Sequence, residues 1–152
     1  MVRVAERFAS ILRSEGFPKV FAYYSEGIDA NLIRVEVERE KKRVVFISAS
    51  NVVDDSLSMT TYGCILTANI LVNCFAQTDS EAIQGGLDII GLGHTATIRN
   101  GRLTAKVFAP FMIGGIPFYQ YDPVGSVDEV AEKLGNIYFH EQLLRVQFAI
   151  GD

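Results

Sequence analysis

Apolar and other residues alternate through residues 61–76. Cys64, Leu66, Ala68, Ile70, Val72, Cys74 and Ala76 share one face of a predicted strand, while Thr67, Asn69, Asn73 and Gln77 fall on the other with Ile65, Leu71 and Phe75. The first face reads as core and the second as mixed. Thr78 and Glu81 follow at capping-box spacing, so the strand passes directly into a helix that carries Ile83, Leu87 and Ile90 on one stripe. That helix holds Gly85-Gly86 in its middle. Each mid-helix glycine costs about 1 kcal/mol relative to alanine, which implies a close approach by a sheet or a neighbouring subunit.

The rest of the chain is arranged around this stretch. Residues 2–15 predict an amphipathic helix with Val4, Phe8, Ile11 and Leu12 on its apolar stripe, ended by Gly16 and Pro18. Residues 20–24 predict a short strand, followed by a turn at Ser25-Glu26-Gly27. Over residues 32–50, Val35 and Val37 alternate with Glu36 and Glu38, and Val44 and Phe46 come after a charged run; this predicts an antiparallel hairpin with residues 38–43 at its tip. Residues 51–59, with Asp54-Asp55-Ser56, keep no period and predict a mobile loop. Residues 96–108 predict a hairpin turning at Asn100-Gly101.

Residues 109–122 are apolar and aromatic, broken by Gly114-Gly115 and Pro117. Two readings stand side by side: a segment bent through the core, or a loop whose apolar side chains another chain covers. Phe111, Met112, Ile113, Ile116, Phe118 and Tyr119 are therefore candidate interface residues, together with Asp54 and Asp55 of the predicted loop. Ser126-Val127-Asp128-Glu129 repeats the capping-box spacing and predicts a short helix ending near Gly135-Asn136. Residues 142–150 predict a half-buried terminal strand. The order of elements predicts one α+β domain over residues 1–152, with helices on one face of a mainly antiparallel sheet.

Length and charge narrow the function classes. A chain of 152 residues can bury about 70% of its unfolded surface without help from metal or disulfide. Its net charge of -4, with both signs interleaved, argues against a dedicated nucleic-acid surface. Cys64 and Cys74 lie about 33 Å apart on a regular strand, too far for a bridge. Charges within residues 1–7 exclude a signal peptide reading, no stretch reads as a bilayer span, and a reducing cytoplasm is the expected place of synthesis.

No residue set predicts catalysis, metal binding or a cofactor. His94 and His140 have no ligand partners at metal spacing and read as turn or strand-edge residues. The basic run at 41–43 includes neighbouring glutamates and reads as a solvated tip rather than a phosphate site, and Asp54-Asp55 lacks the converging oxygens a hard cation needs. Gly91-Leu92-Gly93 has dinucleotide-turn spacing but follows a helix instead of opening one, so it reads as a helix C-cap.

The length, the N-terminal helix, the junction 71–82 with Phe75-Ala76-Gln77-Thr78-Asp79-Ser80-Glu81-Ala82, and the terminal strand 144–150 together resemble the tail-terminator (tail-completion) proteins of long-tailed bacteriophages and related prophage particles. The apolar stretch 111–121 matches no feature of that family. The resemblance implies a structural protein without catalytic residues: a homo-oligomer, expected as a hexameric ring, that sits on the end of the tail tube and halts its growth. It implies a tail tube protein and a head-tail connector protein as partners, no membrane, DNA passing through the lumen without specific binding, and a place at the head-proximal end of the virion tail after assembly in the host cytoplasm. The alternatives are another head-tail connector or baseplate module, or a small α+β enzyme with an unrecognised site.

Overall fold

The computed structural model describes residues 2–17, 19–22, 33–60, 63–93 and 111–149, with side chains throughout except at 2, 3, 54–60, 63, 64 and 111. Helix α1 (Val2–Ser14) buries Val4, Ala5, Phe8, Ile11 and Leu12 along one stripe. Gly16, at φ 101, ends it, and the Arg13 guanidinium donates to the Val20 carbonyl from Nε (3.0 Å) and Nη2 (2.7 Å). That fork clamps strand β1 (Val20–Ala22) to the end of α1.

Strands β2 (Val44–Thr60) and β3 (Gly63–Ala76) form a long antiparallel pair, and helix α2 (Asp79–Ile90) leaves β3 directly. Thr78 caps α2, its hydroxyl accepting from the Glu81 N–H at 3.2 Å. Strands β4 (Phe111–Ile113), β5 (Ile116–Pro123), β6 (Glu132–Leu134) and β7 (Ile137–Ala149) complete one sheet in the order β1-β2-β3-β7-β5-β4, with β6 on β7. Among the described residues only the β1–β2 pair is parallel. The fold is α+β.

Helices α1 and α2 lie on one sheet face. Leu66, Ala68, Ile70, Val72 and Cys74 of β3 meet Leu144, Val146 and Phe148 of β7 beneath α1 and Ile89, and the rings of Phe8, Phe118, Tyr121 and Phe148 stack within the same core. The two glycines of α2 explain how closely that helix sits. A Cβ at Gly85 would overlap Cys74 Sγ, and one at Gly86 would overlap His140 Nδ1. The close approach implied by Gly85-Gly86 is therefore made by strands β3 and β7.

Several expectations are corrected. Residues 32–50 do not form a hairpin: Arg34–Arg39 is a π-helical turn, and Ile33 and Val37, four apart, pack with Val44, Phe46, Phe75 and Ile137 on the second sheet face. The Val-Glu alternation there imitates a strand. Lys41 at φ 57 and the Lys42 N–H donating to Glu36 O (2.9 Å) then reverse the chain into β2. Residues 51–59 are strand, not loop. Two register shifts, between Ser50 and Val53 and between Asp55 and Met59, add unpaired residues that erase the period-2 signal, and Asn51 takes φ 50 at the first of them.

The predicted helix over 126–134 is likewise absent. Val127 (40% exposed), Val130 (68%) and Leu134 (54%) have no core to face, so helical spacing alone does not stabilise a helix there. Gly135-Asn136 instead turns β6 into β7, with Leu134 opposite Ile137 and Gly135 at φ 63. Strand β7 starts at Ile137 rather than near 142 because this hairpin extends it. Residues 109–122 contain the β4–β5 hairpin, whose Gly114 N–H donates to Glu15 Oε1 at 2.8 Å. The hairpin expected at 96–108 and the His94 reading lie outside the described residues.

Candidate assembly surfaces

The candidate residues fall into two groups that the fold keeps apart. Asp54 and Asp55 lie in β2, in register with Leu66 and Ile65 of β3. The hairpin candidates lie near the other edge of the sheet. Ile113 and Phe118 are fully buried in this chain's own core, Met112, Ile116 and Tyr119 keep part of their surface, and Phe111 pairs in register with Phe118. The two readings of this stretch divide between its residues.

The outer edge of β2 is the largest unpaired backbone surface among the described residues. Among the described residues β1 pairs with it at 45–47, and within 48–60 the pairing is with β3, at 48–50, 53–55, 59 and 60. Among the described residues, β7 pairs with β3 as far as Ile65, opposite Ala149, and the β2–β3 pairing runs on to Thr60 opposite Gly63. The second sheet face beyond Phe46 and Phe75 is a polar band in which Ser48, Thr67, Asn69, Gln120, Arg145 and Gln147 are half-buried. Arg145 Nη1 donates to Asn69 Oδ1 at 3.0 Å, fixing two of these side chains across the strands.

A cavity of about 170 Å³ opens between the end of α1, β1, the start of β2 and α2. Phe17, Val20, Val45, Cys74 and Gly85 form its apolar wall and floor; Lys19, Lys42 and Arg43 line its mouth. Two long ion pairs touch this rim, Lys19 to Glu36 at 3.7 Å and Arg43 to Asp88 at 3.9 Å. The Arg43–Asp88 pair is solvent-exposed and contributes little to stability, whereas the Glu36 side chain is only 17% exposed. Burial pushes the Cys74 thiol up to about 12, with Arg43 opposing and Asp88 reinforcing the shift, so the thiol is neutral at physiological pH and is no nucleophile. Tyr121 is pushed up by burial and by Glu15, and its hydroxyl donates to the Ile89 carbonyl.

On the opposite flank of α2, residues 124–131 form a strap without regular secondary structure. Val124 N–H donates to Leu143 O at 2.8 Å, and His140 Nε2 holds the Asp128 carbonyl at 2.7 Å. A carbonyl only accepts, so His140 carries its proton on Nε2 and Nδ1 faces Gly86. The strap exposes Val124 and Val127 along this tied stretch, and Val130 between the Asp128 tie and the start of β6 at Glu132. Acidic groups gather beside it: Glu129 borders a recess with Asp79, and Asp128, Glu132 and Glu141 line another with Val130. Neither the strap nor the cavity was among the sequence candidates. Valine at every third position among acids was the available signal, whereas the cavity joins residues distant in the chain.

Among the described residues, no group of three His, Cys, Asp or Glu is placed to hold a metal ion, and no helix is long and apolar enough to cross a membrane. No protein-family model matches this chain, and no curated protein matches it. Among solved structures, a chain from "Virion of native gene transfer agent (GTA) particle" aligns over 97% of this chain and 96% of its own length, at 11% identity and a TM-score of 0.38.

Proposed function

We propose that this chain is a structural virion protein, a tail terminator that assembles as a hexameric ring on the end of a phage-type tail tube, stops its growth and joins the tail to the head. The observation that carries the reading is the β2 edge: among the described residues no strand pairs with the outer side of residues 48–60, the kind of surface a neighbouring chain pairs with. The junction from β3 into the Thr78-capped α2, on which the family resemblance rests, supports it. In this reading the protein is not an enzyme, its partners are other copies of itself, the tail tube protein and the head-tail connector protein, and DNA passes the lumen without being gripped.

Native mass measurement and negative-stain imaging of the purified protein, alone and mixed with tail tubes, test the reading. Rings, or caps on tube ends, are the expected result. A protein that stays monomeric at every concentration and leaves tube ends bare refutes it.

A further inference from the structure

We propose that the acidic strap of one copy docks into the basic-mouthed cavity of the next, with Val130 as the inserted side chain. The inference rests on the ring reading and specifies its contact. Interleaved along the chain, the charges sort in the fold to opposite flanks of α2. Gly85 packs toward Cys74 and Arg43 on the cavity side; Gly86 packs toward His140, which holds the strap, on the other. Lys19, Lys42 and Arg43 thus face away from Asp128, Glu129 and Glu132, and the helix stands between them within one chain.

The two surfaces match in chemistry and size. An apolar cavity of about 150 Å³ accommodates a benzene-sized group, so a cavity of about 170 Å³ accepts a valine side chain. Val130 is 68% exposed and flanked in sequence by Glu129 and, two residues on, by Glu132, which places carboxylates at the mouth when the valine enters. Lys42 has no ion-pair partner among the described residues, and the ties of Lys19 and Arg43 are long enough to be exchanged. The tie of Asp128 to His140 and the pairing of Glu132 with Phe139 hold the strap on either side of Val130 before any partner arrives, which lowers the entropy lost on docking. A patch that meets a different patch on the next copy is a heterologous contact, which forms a ring when its rotation closes.

The test uses the full chain with Val130→Asp, Lys42→Glu and Glu129→Lys, and the double variant K42E/E129K. All three positions are exposed, so circular dichroism of the monomers should match the parent. Sedimentation should show association weakened at least tenfold in each single variant, with most of it restored in the double variant and in an equimolar mixture of K42E and E129K chains. Val130→Asp and Lys42→Glu chains that assemble like the parent overturn the strap contact while leaving the ring reading intact. A parent chain that never associates, alone or on tubes, overturns both.

Discussion

Gly86→Ala should destabilise the protein, against the expectation of helix propensity. In an exposed helix the change would gain about 1 kcal/mol. Here the new methyl would overlap His140 Nδ1 and lie 2.8 Å from Cε1 and 3.0 Å from Cγ. The imidazole is 1% exposed and tied through Nε2 to the Asp128 carbonyl, so it has no free direction in which to yield. Overpacking a close-fitted site costs about 1–3 kcal/mol, and losing the tie to Asp128 costs about 1 kcal/mol more. The net loss is about 2 kcal/mol, which in a chain of this size lowers the melting temperature by about 4–8 °C. Urea unfolding followed at 222 nm measures it. A Gly86→Ala protein about 1 kcal/mol more stable than the parent refutes the packing argument. A double-mutant cycle sharpens the test: in a His140→Ala background the same substitution should become neutral or favourable, because its obstacle is gone.

Two further outcomes are expected. Because Cys74 is buried and its thiol is pushed up to about 12 from an ordinary value of 9.0, the peptide carrying it should resist iodoacetamide in native buffer at pH 8 and react only as the chain unfolds; labelling within minutes would refute the burial. The sign also fixes a pH dependence, since the unfolded thiol ionises first: this contribution is complete below pH 9 and declines as pH rises from 9 toward 12. Hydrogen exchange of residues 48–60 should slow tenfold or more between the free and assembled protein at amides directed away from β3; equal exchange in both states would remove the β2 edge from the interface.

Local signals carried most of what the sequence disclosed. The alternation through β3, the Thr78 cap and the stripe of α1 all act within a few residues, and each matches the structure. Legibility failed where a local pattern competes with a distant partner. Val35 and Val37 alternate like a strand, yet Val37 is held with Ile33 against Phe46 and Phe75, which the chain supplies later. The bulged half of β2 lost its period to the residues that make it bulge. Conversely, the capping-box spacing at 126–129 had no apolar surface to bury a helix against. The candidate surfaces follow the same division. Gly85-Gly86 announced a close approach but could not name Cys74 and His140 as its cause, and Lys19, Lys42 and Arg43 become one rim only when β1 is laid beside β2.

An unpaired edge as long as that of β2 is a hazard, because any extended chain can add to it. Its irregularity limits the choice. The register shift at Ser50/Val53, with Asn51 at φ 50, kinks the strand, so a regular partner cannot follow the backbone through it, while a strand shaped to the kink can. The kink also discriminates between symmetries. Two copies meeting edge to edge about a two-fold axis centred on this segment would each have to present the same kinked backbone to the other. Head-to-tail packing does not set an edge against itself. The strap and cavity on opposite flanks of α2 favour that same packing, since the acidic side of one copy finds the basic side of the next. Both features thus disfavour a two-fold dimer and favour head-to-tail packing, which the proposed ring requires.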